Sequence, residues 1–199
     1  MDGLDRLEVR GRDSAGIQIS FVAADAGRLA RVLTGLRERG FGGELDRRMA
    51  PGDLADGSIA LSPPAALSFT YKTAEIIGEL GRNVRELRKK IAGDGIFHAL
   101  AGLPVKFETA LTHTRWASVG SITEENCHPI GNFTFSLVKA ATGATEKFYP
   151  AYGKGSWNIQ VVLNGDIDNY AALREDLETV GMSIAPEVTT DTKIIPLRI

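Results

Sequence analysis

The sequence predicts an α+β fold. Stretches with period-two alternation and stretches with helical periodicity both occur, but they do not follow one another in the regular strand–helix order of a doubly wound sheet. The 199 residues have the length of a single domain, and 43% hydrophobic with 24% charged residues is an ordinary globular balance.

The elements follow in order. The first ten residues read as the end of a helix, which Leu4, Leu7 and the capping-type Gly11 fit. From Gly16 the period becomes two: Ile17, Ile19 and Phe21 alternate with Gln18, Ser20 and Val22, which is a strand pattern. Asp25 reads as the N-cap of a helix carrying Leu29, Val32, Leu33 and Leu36, ended by Gly40. Residues 41–57, rich in Gly, Asp and Pro, read as a loop. Ser58–Leu61 and Ala66–Tyr71 read as strands on either side of a Pro63-Pro64 turn.

A long amphipathic helix is expected from Thr73 to Ala92, where Ile76, Leu80, Val84, Leu87 and Ile91 step by three or four. Arg85, Glu86, Arg88, Lys89 and Lys90 then form its solvated face. No aromatics are interleaved as a nucleic-acid surface would require. Phe107–Trp116, Asn132–Lys139 and Trp157–Leu163 read as strands. Asn169 opens a helix through Val180, with Leu173 and Leu177 inward and Gly181 as the stop. There is no internal repeat or low-complexity tract.

Several classes are excluded. A net charge of −2 and a pI near 6.0 give no bulk pull toward nucleic acid or anionic membrane. No apolar run approaches the ~18 residues of a membrane span, and Met1–Arg6 has no apolar signal-peptide core. A single cysteine, Cys127, excludes an internal disulfide and a multi-cysteine metal site, and fits a reducing cytoplasm. No cofactor or metal is expected. His98 and His113 are too scattered to build a metal site with Cys127.

Five short stretches carry the chemistry: Glu8–Gly16, His113–Ser118, Asn126–Pro129, Leu163–Gly165 and Thr189–Thr192. Arg115 closes a strand and can offer a planar fork to a carboxylate, or pair with a structural Asp. Asn164-Gly165 is a hairpin turn, or an amide and a backbone N–H converging on an oxyanion. Asp191 is a helix cap, or a carboxylate for a ligand ammonium. Arg10-Gly11-Arg12-Asp13 is a turn with internal hydrogen bonds. Cys127 reads as a small buried hydrophobe rather than a nucleophile served by His128.

Together, and in this order, the five stretches resemble a class II, N-terminal-nucleophile glutamine amidotransferase domain, of the glutamine–fructose-6-phosphate aminotransferase branch. The family pattern E-Y-R-G-Y-D-S-A-G, H-T-R-W-A-T, N-A-H-P, H-N-G-I-I-E-N and T-D-T stands here as E-V-R-G-R-D-S-A-G, H-T-R-W-A-S, N-C-H-P, L-N-G-D-I-D-N and T-D-T. The resemblance implies a four-layer αββα sandwich. It also implies hydrolysis of the glutamine side-chain amide through a glutamyl thioester. Arg115 would hold the α-carboxylate and Asp191 the α-ammonium. Asn164 and Gly165 would form the oxyanion hole, and Trp116, Ser118 and His128 would shape the pocket. Ammonia would pass to sugar-phosphate isomerase domains farther along a longer, homodimeric cytoplasmic protein.

Departures from the pattern set further expectations. The family nucleophile is an N-terminal cysteine on a first strand that has no counterpart here. The chain is therefore expected to be one domain, 1–199, cut at both ends, with an unpaired sheet edge and no glutaminase activity of its own. The alternative is a catalytically inactive glutamine-binding domain. The long separation of the first two motifs implies an insertion near residues 24–64. Leu163 and Val119 stand where the family often has His. Pro196 requires the last helix to start late.

Overall fold

A computed structural model describes residues 1–50, 56–62, 64–74, 79–132, 136–139, 145–148, 159–180, 182 and 184–199. The fold is α+β: an antiparallel sheet with helices packed on it, as the periodicities predict.

The central strand β1 is Ser14–Ala23. It pairs antiparallel with β3 (Ala66–Thr73) on one side and β4 (Val105–Arg115) on the other. β2 (Ile59–Ser62) adds to β3, giving the order β2-β3-β1-β4. The register sets Ile17, Ile19 and Phe21 opposite Tyr71, Phe69 and Leu67. Strand side chains alternate faces, so these six form one apolar surface. The other face carries Gln18, Ser20, Ser68 and Thr70, with Gln18 donating to the Thr70 hydroxyl (3.4 Å) and Ser20 bonded to Ser68 (2.9 Å).

The apolar face is covered by helices. α1 (Asp2–Leu7) brings Leu4, α2 (Ala26–Leu36) brings Leu29 and Leu36, and α3 (Gly42–Arg48) brings Leu45. α4 (Arg82–Gly93) adds Val84 and Leu87, and α5 (Gly95–Ala101) adds Ile96 and Leu100. Phe97 packs edge-on against Phe69, ring centroids 5.1 Å apart. Asp25 caps α2 through the N–H groups of Gly27 and Arg28.

Two expectations are corrected. Residues 41–57 are not all loop, because α3 occupies Gly42–Arg48. Gly40, at φ +92°, turns the chain at the end of α2 without ending helical structure. Leu45 then inserts into the core, and Arg48 is held by Asp94. The helix expected from Thr73 begins only at Arg82, because Thr73 still belongs to β3 and pairs with Ala15. Ile76 lies outside the described residues.

β4 is the sheet edge, and Val105–Ala110 are exposed along it. No described strand pairs with its outer side. A bulge at the Val22/Ala23 step and the charges of Lys106 and Glu108 break up that edge.

Beyond β4 lie β5 (Ile130–Gly131), β6 (Ser136–Lys139), β7 (Thr145–Phe148) and β8 (Gln160–Val161), pairing β5 with β8 and β6 with β7. β6 and β8 fall within the predicted strand stretches Asn132–Lys139 and Trp157–Leu163, of which Trp157 is outside the described residues; β5 and β7 lie outside every predicted strand. α6 (Tyr170–Thr179) buries Leu177 as expected, while Gly181 is not among the described residues. α7 (Ile194–Arg198) starts late enough to hold Pro196 in its first turn. Leu177, Ile184, Val188 and Ile194 form a second small core here. Among the described residues no helix is long and apolar enough to cross a membrane.

Candidate functional site

Arg115 ends β4 opposite Ser14, the first residue of β1. The Asp13 N–H donates to the Arg115 carbonyl (3.1 Å), and the Asp13 carboxylate accepts from the Ala117 N–H (2.7 Å). A Cβ on Gly11 would stand 2.6 Å from the Thr114–Arg115 backbone. Arg12 and Asp13 of the Arg10–Asp13 stretch thus bond outward, to Arg115, Ala117 and Asn83, and not within an internal turn; what the stretch braces is the end of the strand that carries Arg115. The guanidinium itself is buried, 4% exposed, and donates to the carbonyls of Ser121 (3.0 Å) and Val119. Burial pulls its pKa down, with Cys127, Asp13 and Asp191 opposing. It stays cationic at any ordinary pH.

Gly16 opens the way for the next stretch. An ideal Cβ there would lie 1.9 Å from the His128 carbonyl oxygen and 3.3 Å from Cys127 Sγ. Only glycine lets Cys127-His128 cross the sheet at this height. His113, paired opposite Gly16, meets His128 with ring centroids 4.6 Å apart. Burial, then the neighbouring His113, Arg115 and Lys72, push His128 down to about 3. Burial and Arg115 lower His113 as well. Both rings are therefore neutral near pH 7. Among the described residues, His128 Nε2 and His113 Nδ1 have no hydrogen-bond partner.

Cys127 is fully buried, and burial raises its thiol pKa. It behaves as the small core hydrophobe the sequence suggests, not as a thiolate.

Asp191 begins a 3₁₀ turn that leads into α7. It is 3% exposed, and its Oδ2 accepts from the Ile167 N–H at 2.7 Å. That contact brings it to the bend after Asn164-Gly165. The bend runs from β8 toward α6, so the dipeptide does not close a hairpin. Gly165 sits at φ +151°, where side chains are rarely tolerated. Ser118 donates to the Asp166 carboxylate, and Trp116 is 72% exposed.

All seven residues singled out from the sequence (Arg115, Trp116, Ser118, His128, Asn164, Gly165 and Asp191) line one pocket, beside His113 and Val119. The pocket is drawn tight, about 20 Å³, roughly the room of one water. Arg115 is occupied by loop carbonyls and Asp191 by Ile167. A larger cavity of about 400 Å³ lies elsewhere, between α3, α4 and α5. Its Arg48 is bonded to Asp94 and its Lys90 to Asp56. Its size alone does not make it the site, because none of the five motif stretches contributes to its lining. Among the described residues no group of three His, Cys, Asp or Glu side chains could hold a metal.

Sequence reasoning missed the pairing of His113 with His128 and gave Asn126 no role. The first needs the β1–β4 register, the second a fold that brings residues 126 and 189 together.

The ordered motifs and this pocket mark a chain that resembles a class II glutamine amidotransferase domain. The relatives bear this out. Isomerizing glutamine–fructose-6-phosphate aminotransferases of Mycobacterium tuberculosis and Mycobacterium bovis are each 30% identical over 196 residues, covering 98% of this chain. The enzyme of that name from Aquifex aeolicus is 36% identical over 97 residues, 49% of this chain. The chain spans 18% of the mycobacterial proteins and 12% of the Aquifex one. No family model matches the chain, and no solved structure does.

Proposed function

We propose that this chain is the glutamine-binding part of a class II amidotransferase. The observation that carries the reading is the meeting of a buried cation, Arg115, and a buried carboxylate, Asp191, in one pocket with Asn164-Gly165. Arg115 takes the α-carboxylate through its fork, and Asp191 takes the α-ammonium. The Asn164 amide and the Gly165 N–H face the carbonyl oxygen that gains charge when the side-chain amide is attacked. Trp116, Ser118 and His128 form the walls. Arg115 spends one N–H of each terminal nitrogen on the Ser121 and Val119 carbonyls, which leaves three of its five donors for the ligand carboxylate.

The attack is a separate matter. The only thiol of the chain is Cys127, and it is sealed in the core. The reading therefore gives these residues binding and oxyanion stabilisation, and leaves the nucleophile of the thioester route to a group outside them. The names of its relatives support transfer of the released ammonia to fructose 6-phosphate; the reading extends this to glucosamine 6-phosphate made on sugar-phosphate isomerase domains of a longer, homodimeric cytoplasmic protein. The reading includes the four-layer αββα arrangement and an insertion near residues 24–64, where α2, α3 and β2 lie. The burial of Cys127 favours a second reading, a glutamine-binding domain without catalysis.

Calorimetry tests the common core of both. Glutamine titrated into the chain should give saturable heat that Arg115→Ala and Asp191→Asn abolish. No heat at millimolar glutamine overturns the assignment.

A further inference from the structure

Asn126 is fully buried, and its side-chain amide is fully used. Its Oδ1 accepts from the backbone N–H groups of Thr189 (2.7 Å) and Thr190 (2.8 Å). Its Nδ2 donates to the Thr123 hydroxyl and the Glu187 carbonyl, both at 3.0 Å. A primary amide has two donor hydrogens and two acceptor lone pairs, so nothing is left over. The Thr189 hydroxyl adds a longer bond to Oδ1 (3.4 Å), so three of the five bonds fall on the two residues before Asp191.

The same segment is gripped from a second side. The Ser121 N–H donates to the Thr189 hydroxyl at 3.0 Å. Gly120, at φ +88°, lies so close to the Thr189–Thr190 peptide that a Cβ would stand 2.8 Å from it. Gly120 and Ser121 belong to the loop whose carbonyls at 119 and 121 take the Arg115 guanidinium. One continuous path of short contacts therefore runs from Arg115 through the loop to Thr189-Thr190 and on to Asp191, with Asn126 holding the middle.

We propose that Asn126 is a positioning residue that fixes the separation of Arg115 from Asp191. The pocket thereby selects a ligand carrying a carboxylate and an ammonium on one carbon over a ligand carrying the carboxylate alone. This rests on reading the pocket as the glutamine site. A rigid spacing matters only when both groups are engaged at once, and preorganisation then appears as affinity. A side chain that served stability alone would weaken every ligand alike.

The test compares two ligands, glutamine and glutaramic acid, the same molecule without the α-amino group. Dissociation constants are measured by calorimetry for the wild-type chain, Asn126→Ala and Asn126→Asp, with folding checked by circular dichroism. Asn126→Ala should weaken glutamine by about tenfold or more, the scale of one charge-assisted contact. Glutaramic acid should stay within about twofold of its wild-type affinity. Asn126→Asp keeps the acceptor for the Thr189 and Thr190 amides and should keep most of the preference for glutamine. If Asn126→Ala does not fold, Thr189→Val, which removes the hydroxyl that links Ser121 to Asn126, should show the same selective loss. Equal weakening of both ligands, or unchanged glutamine affinity, overturns the positioning role. A wild-type chain that binds neither ligand instead overturns the glutamine reading beneath it.

Discussion

A Cβ on Gly16 would fall 1.9 Å from the carbonyl oxygen of His128. Both partners in that contact are backbone, and β1 is pinned between β3 and β4, so neither can step aside. Gly16→Ala should cost about 1–3 kcal/mol or more, as overpacking does. The urea midpoint measures it. An unchanged midpoint would mean that the 127–128 segment is not seated on β1.

Arg48 and Asp94 form a nearly buried ion pair, with side chains 5% and 7% exposed. Asp94 also takes the Tyr71 hydroxyl at 2.6 Å. Asp94→Ala leaves the buried Arg48 cation with the part-exposed Glu44 carboxylate, at 3.3 Å, as its counterion and should destabilise by about 3 kcal/mol. Arg48→Met combined with Asp94→Leu should lose much less. Urea unfolding of the two variants checks the order, and equal losses would show that the charge is not what matters.

His128 is neutral in the fold at pH values where it is charged in the unfolded chain. Its pKa is pushed from 6.5 to about 3, and His113 is lowered too. Between about pH 6.5 and 3 the unfolded chain binds protons that the fold does not. Stability therefore falls as pH drops through that window, by up to about 1.4 kcal/mol per pH unit from His128, with His113 acting in the same direction. Glu8, whose pKa burial raises, acts the other way. Thermal unfolding at pH 7.5 and 5.5 should show the loss, and His128→Asn should shrink it. A variant as pH-sensitive as the wild type would remove His128 from the explanation.

Arg115→Lys keeps the charge and loses the fork. Glutamine affinity should drop by about tenfold or more, because an ammonium cannot make both parallel bonds to a carboxylate. Calorimetry reads this directly. Wild-type affinity in that variant would argue for a simple cation in place of bidentate recognition.

Much of this was legible in the sequence where local chemistry decides the outcome. The alternation of Ile17, Ile19 and Phe21 identified β1 and its buried face. Asp25 marked the start of α2, and Pro196 delayed α7. The segment 41–57 misled because its Gly and Asp content resembles a loop. What makes Gly42–Arg48 helical is tertiary: Leu45 in the core and Arg48 on Asp94. Thr73 looked helical by periodicity but was claimed by pairing with Ala15. The seven pocket residues were named from motifs that recur in order. How Asn126 joins them was not, since Glu187, Thr189 and Thr190, which tie it to the pocket, lie more than sixty residues away.

Cys127 sits beneath Gly16 and His128, where no reagent reaches it while β1 and the 127–128 segment stay together. Because it is the chain's sole sulfhydryl, a colorimetric disulfide reagent has one place to react. The rate of that reaction becomes a clock for the opening of this seam. A pocket ligand that holds the seam shut should slow the clock in proportion to its occupancy, giving a readout of binding that needs no turnover.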